Sequence, residues 1–324
     1  MNAFVMAGDR RSSFCVSGMN KALLPLAGCP IFLHVLMALD RVQAIRKIYI
    51  VGPQMEIVDA LKKAKPAISL TQKVEVLEQR ESLIDNIAYA YAHAMSKDFD
   101  SDRPTPNFVE RPPALFLPAD IPLVTHTEIE MFLSASDMKQ YDYCLGVTSE
   151  PVLARFYPTK QNRSGIRMSY LYLKEKAYRM NNLHLVRPDK IGSKESVQTI
   201  YHHRYQKYLS NRLQIALGIL LADQSLSIRL RGILYYLLAL GTLFFSETGL
   251  NTLSRLCRQR LSVKAVEDWI SQLLKTRFKS VETTLGGAAM DIDDEATYQT
   301  ISLSFQKWQD DLMQGVTHSA REVV

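Results

Sequence analysis

Three stretches of this 324-residue sequence hold side chains that could do chemistry. The first is residues 2–26, NAFVMAGDRRSSFCVSGMNKALLPL. Its apolar run at 3–7 reads as a buried strand that breaks at Gly8 and spills into a polar loop with Arg10, Arg11, Ser12, Ser13, Ser17 and Gly18. Asn20 and Lys21 end the loop, just before a second apolar run and Pro25. A strand opening into small and basic residues suits a polyphosphate: backbone N–H groups can line the loop, and its cations can neutralise the charge. The second stretch, Leu117-Pro118-Ala119-Asp120-Ile121-Pro122, puts a carboxylate at the end of an apolar run. The third, Asp291-Ile292-Asp293-Asp294, follows the Gly-Gly run of residues 285–290, which reads as a closing strand. Mg²⁺, a hard cation, takes one or two protein carboxylates and completes its shell with phosphate oxygens and water. Both acidic stretches also have a plainer reading, as the N-cap of the turn or helix that follows. Thr125 and Thr127 are better caps near the second, each three residues ahead of a carboxylate, Glu128 and Glu130.

These residues need elements to hold them. Residues 30–39 read as a helix with proline in its first turn. Residues 47–51 read as a strand closed by Gly52-Pro53, 55–64 as a helix, and 74–77 as a strand. In 82–95, Leu83, Ile87, Tyr91 and Met95 recur at helical spacing. Residues 114–117 and 144–148 give two more strands. Strands alternating with helices predict an α/β fold, a mostly parallel Rossmann-like sheet with helices on both faces. In such sheets the ligand sits outside the carboxyl ends of the strands, where the first loop lies. The Asp-, Ser- and Pro-rich link at 97–113 reads as an exposed excursion.

Hydrophobic residues at 47% and charged residues at 22% place the chain among globular proteins rather than disordered ones. The net charge of +6 suits an anionic ligand, and equally a membrane surface or a nucleic acid, so charge alone does not choose. Cys15, Cys29, Cys144 and Cys257 show neither zinc spacing nor a disulfide framework. The N-terminus lacks the basic-then-apolar order of a signal peptide. These features predict a cytoplasmic protein.

On the residues quoted above, the chain resembles the MobA-like nucleotidyltransferases, which share the GT-A type nucleotide-binding fold. Met6-Ala7-Gly8-Asp9-Arg10-Arg11, then Lys21-Ala22-Leu23-Leu24-Pro25-Leu26, is similar to their opening L-A-G-G-x-x-x-R and distant K-x-L-x-x-L, with Asp9 in place of the second glycine. Asp120-Ile121-Pro122 is similar to their D-x-P site. Asp291-Ile292-Asp293 is similar to their closing D-I-D-T-P-E-D, which the chain leaves at Asp294, Glu295, Ala296 and Thr297. Residues 180–185, MNNLHL, loosely resemble the asparagine-containing segment of the acceptor pocket. The resemblance implies an NTP over Ala7 and Gly8, Arg10 or Arg11 on the triphosphate, Lys21 near the α-phosphate, and Asn182 as a binding residue. It implies Mg²⁺ on Asp120 and Asp293, with Asp291, two residues away on the same side of a strand, in reserve. The reaction implied is attack of a small, anionic acceptor on the α-phosphorus with loss of pyrophosphate. One rival is glycosyl transfer from a nucleotide-sugar on the same fold. The other is a non-catalytic nucleotide-binding or membrane-associated protein, favoured by Asp9, whose carboxylate would repel a triphosphate unless it points away.

The rest of the chain reads less sharply. Residues 160–212 are basic, and residues 168–173 alternate like a strand. The His202-His203 pair points two ways and lacks ligand spacing, so it reads as structural or exposed. Residues 213–250 are strongly apolar, but the apolar run at 232–245 falls short of the ~20 residues of a membrane span. It reads as a buried helix or as a face for homo-oligomers, with membrane contact allowed but not favoured, and predicts a protein soluble without detergent. The expected organisation is a nucleotide-binding frame at 1–200, a helical insert at 201–280, and a closing strand and helix at 281–324. The expected partners are an NTP and a small-molecule acceptor, and no nucleic acid.

Overall fold

The computed structural model describes residues 1–9, 16, 18–65, 68–98, 111–159, 164–193 and 225–319. Arg10, Arg11 and the His202-His203 pair lie outside them. An eight-stranded, mostly parallel sheet forms the centre. One of its inner strands is β1 (Asn2–Met6), flanked in parallel by β4 (Lys47–Gly52) and β6 (Ala114–Pro118). Beyond β4 lies β5 (Lys73–Glu78), also parallel. Beyond β6 the long β9 (Ala177–Val186) runs antiparallel and separates β6 from β7 (Tyr143–Ser149). The edge strand β10 (Phe278–Thr283) pairs in parallel with β7, and the short β8 (Leu171–Tyr172) pairs with β9. Two further strands, β2 (Pro25–Leu26) and β3 (Cys29–Pro30), form a separate hairpin.

The alternation of β1 assigns its side chains to two layers. Ala3 and Val5 enter one core with Val35, Leu36 and Leu39 of α1 (Ile31–Asp40), Ile57 of α2 (Gln54–Ala64) and Phe132 of α4 (His126–Ala135). Phe4 faces the other way, stacked between Tyr49 at 5.1 Å and Phe116 at 4.8 Å. Tyr91 and Ala94 of α3 (Leu83–Asp98) cover that side. A strand buried on both faces needs apolar residues at every position, which is why residues 3–5 read as a continuous run. The last helix, α9 (Glu295–Ser319), buries Ile301, Phe305, Trp308 and Leu312 in a third cluster, at helical spacing.

Three readings of the sequence are corrected. The closing strand is Phe278–Thr283, not residues 285–290: Gly286 takes φ +89°, and residues 287–289 form a 3₁₀ turn. Only Leu171 and Tyr172 of the alternating run at 168–173 pair as a strand. The apolar run at 232–245 belongs to a 22-residue helix, α6 (Leu226–Glu247), long enough to cross a bilayer. It is followed by α7 (Asn251–Gln259) and α8 (Val263–Leu274), so the described helices between β9 and β10 stop short of residue 278.

Candidate active site

Four segments meet at the carboxyl ends of β1 and β6. Leaving β1, Ala7 stays tied to the sheet through its N–H, which donates to the Val51 carbonyl at 2.8 Å. The Ala7 carbonyl accepts from the Asn20 side-chain amide at 3.1 Å. Asn20 also caps the 3₁₀ turn Lys21–Leu23, its Oδ1 accepting from the Ala22 N–H at 2.9 Å. One side chain thus fastens the start of the loop to its end and fixes where Lys21 emerges.

Lys21 is 4% exposed, an unusual place for a lysine without partners. Its ammonium lies 3.4 Å from Asp293 Oδ1 and 3.8 Å from Asp120 Oδ2. The Ile292 N–H donates to the Asp120 carbonyl at 3.0 Å, so backbone holds the two acidic segments side by side. The strand-end aspartate, the loop lysine and an aspartate 272 residues further on therefore share one point. Asp291 turns elsewhere: Arg179 Nη2 donates to it at 2.7 Å, while Arg179 Nε donates to the Ala289 carbonyl at 3.2 Å. Residues 291–293 form no strand, so the two-residue spacing does not set the sides of the two aspartates, and both line one cleft.

Asp9 is held by Gln79. Its carboxylate accepts from Gln79 Nε2 at 2.6 Å, and its N–H donates to Gln79 Oε1 at 3.0 Å. Gln79 is itself buried and held through its N–H to the Gly52 carbonyl. The carboxylate at this position is thus engaged by an amide at the end of β5. Nothing in the sequence marked Gln79, which the loop recruits across 70 residues.

Asn182 sits at φ +63°, a left-handed conformation that asparagine tolerates, and donates to the Ala288 carbonyl at 3.1 Å. Its neighbour Asn181 is fully buried and donates to the hydroxyls of Thr283 and Thr148. Asn181 lies against Gly146, at a bulge in β7, where any Cβ would collide with its side chain. The asparagine pair thus grips the segment between β10 and the acidic turn.

The same segment rests on Glu128, which is fully buried. Glu128 Oε1 accepts from the Thr283 hydroxyl at 2.9 Å and the Gly286 N–H at 3.0 Å, and Oε2 from the Ala288 N–H at 2.9 Å. Burial pushes its carboxyl up from the usual range, and these donors pull it back. Thr125 does cap α4, accepting from the Glu128 N–H at 3.2 Å. The T-x-x-E spacing suggests a carboxylate that only returns to the cap, and so hid its reach across the fold to residues 283–288. Losing this carboxylate would orphan the Gly286 and Ala288 N–H groups, at about 1–3 kcal/mol each, while the Thr283 hydroxyl keeps Thr148 as a partner.

Beside the acidic segment a cleft is lined by Arg167, Ser169, Arg179, Asp291, Asp293 and Thr297. It joins the Lys21 cluster through Asp293 and has two cations on its walls. Among the described residues no group of three or more His, Cys, Asp or Glu is placed to hold a metal ion alone.

A family profile, the MobA-like NTP transferase domain, matches residues 3–188. The chain belongs to this family. The match runs from β1 to the end of β9, so it includes Lys21, Asp120 and Asn182, and ends well before Asp293. The assignment makes the protein a transferase of a nucleotidyltransferase-like family. No curated protein sequence matches the chain. Among solved structures, a hypothetical transferase from Thermus thermophilus is 18% identical, covers 90% of this chain and 96% of its own, and has a TM-score of 0.57, which shows a shared fold. A CMP:2-keto-3-deoxy-manno-octonic acid synthetase complexed with CTP is 14% identical, with coverages of 95% and 99% and a TM-score of 0.44. The bifunctional IspDF from Campylobacter jejuni is 11% identical, with coverages of 67% and 46% and a TM-score of 0.37. These last two superpose too loosely to carry weight.

Proposed function

We propose that this protein is a Mg²⁺-dependent nucleotidyltransferase that moves an NMP from an NTP to a small anionic acceptor and releases pyrophosphate. The observation that carries the reading is the convergence of Lys21, Asp120 and Asp293 at the mouth of a strand–loop built for phosphate. The two carboxylates flank one cationic group, and two carboxylates plus phosphate oxygens make a donor set that fits Mg²⁺. Asp120 and Asp293 would hold the ion, and it would supply charge neutralisation on the triphosphate.

The chain's own groups do the rest. The loop that follows β1, with the cations Arg10 and Arg11, receives the phosphates. Lys21 moves its charge from the carboxylates to the α-phosphoryl oxygens, where negative charge develops in the transition state. An acceptor oxygen attacks the α-phosphorus as the bond to the bridging oxygen of the pyrophosphate breaks, and the two oxygens stand in line. Arg167 on the neighbouring cleft favours an acceptor with its own negative charge, while Arg179 there is paired with Asp291. Asn182, bonded to Ala288, acts by shaping the wall between cleft and acidic turn.

The test is pyrophosphate release with each NTP, offered with phosphorylated and carboxylated acceptors, in Mg²⁺ and in EDTA. The expected result is release with one NTP that requires both acceptor and Mg²⁺. Cleavage of a nucleotide-sugar with no NTP turnover would replace this reading with glycosyl transfer. Nucleotide binding without turnover would leave a non-catalytic protein.

A further inference from the structure

The surface of α6 carries a feature that the nucleotide site does not use. Leu226, Leu230, Leu234, Leu237 and Phe244 are each more than half exposed. Their spacing puts them on one side of the helix in a stripe about 27 Å long, and at Gly241, between the last two, that side meets Cys257 of α7. No charged or hydrogen-bonding side chain interrupts it. The opposite side is fastened to the protein: Trp269 donates to the Ile228 carbonyl at 3.1 Å, Ser254 to the Thr242 carbonyl at 3.1 Å, and Tyr235 meets the Trp269 ring. The helix could cross a bilayer by length, but crossing would require it to shed these contacts.

The stripe has a charged border. Residues 226–260 contain five arginines, Arg229, Arg231, Arg255, Arg258 and Arg260, against one acid, Glu247. Arg231, Arg255 and Arg260 are exposed. On α7, Leu250, Leu253 and Leu256 extend the exposed apolar surface beside Arg255 and Arg260. A second copy docked here would set exposed arginines against like charges. A folded acidic partner would need polar register marks, which the stripe lacks. A fluid anionic surface needs none: it accepts an apolar face at depth and pairs the cations with headgroups.

We propose that α6 and α7 form a docking face for anionic lipid bilayers, with α6 lying in the plane of the interface. Such a face brings the enzyme to a lipid surface without spanning it.

The test is flotation of the full-length protein with vesicles of phosphatidylcholine alone and of phosphatidylcholine with phosphatidylglycerol. Binding to the anionic vesicles should exceed binding to the neutral ones by at least ~10-fold and weaken with salt. Leu230→Ser/Leu234→Ser/Leu237→Ser should cut it by at least ~10-fold, with the melting temperature held because these side chains are exposed. Arg255→Gln/Arg260→Gln should lower it toward the neutral-vesicle level. Absence of binding would overturn the proposal. So would a dimer that dissociates in the triple variant, which identifies a second copy as the occupant. Protein released from membranes by detergent but not by salt or alkaline carbonate would show a span instead.

Discussion

Lys21→Ala is expected to slow pyrophosphate release by at least ~100-fold, because it removes a fixed cation from the place where phosphoryl charge develops. The loss should fall on kcat more than on KM, since the ammonium already has carboxylate partners in the ground state and moves to phosphate in the transition state. The fold should survive. Lys21 belongs to a short 3₁₀ turn whose cap, Asn20, is untouched, and Asp120 and Asp293 retain access to water. Lys21→Arg should rescue little, because a planar, delocalised guanidinium does not present the compact point charge of an ammonium. Unchanged turnover in Lys21→Ala, measured with the NTP and acceptor used by the wild type, would remove Lys21 from the mechanism.

The second large effect is on metal requirement. Asp120→Asn and Asp293→Asn should each raise the Mg²⁺ concentration for half-maximal rate by at least ~10-fold, since each keeps the shape but loses a hard anionic ligand. Asp291→Asn should change it far less. Its partner is Arg179, so its cost should show in the packing of residues 289–291 and in acceptor KM, through the cleft. A magnesium titration of the three variants separates the roles. If Asp291→Asn proves the most damaging, the ligand assignment is displaced by two residues.

The frame was legible because buried parallel strands must be apolar at every position, and residues 3–5, 47–51 and 114–117 announce themselves that way. Asp120 was legible because it follows such an element, and Lys21 because it ends the loop that leaves one, just before a second apolar run. The end of the chain was harder. β10 is an edge strand in which only Phe278, Val281 and Thr283 are buried, so FKSVET shows no apolar run. The more apolar residues 285–290 took its place, although the left-handed Gly286 forbids a strand there. Gln79 and Glu128 stayed hidden because their partners lie 70 and at least 155 residues away, and no spacing within a sequence encodes such contacts. Asn182 was singled out as a binding residue, and the structure ties its amide to the backbone of residue 288.

The most direct test of the central claim is a thermal melt of the wild type and of Asp120→Asn/Asp293→Asn with each NTP, in Mg²⁺ and in EDTA. A ligand at 100 times its dissociation constant adds about 2.7 kcal/mol, which for a chain of this size is a rise of roughly 5 °C. The shared point at Lys21, Asp120 and Asp293 predicts that rise for one NTP with Mg²⁺, a much smaller one in EDTA, and no difference between Mg²⁺ and EDTA in the double variant. An NTP-induced rise of equal size in EDTA, or one that the double variant retains in full, would contradict it.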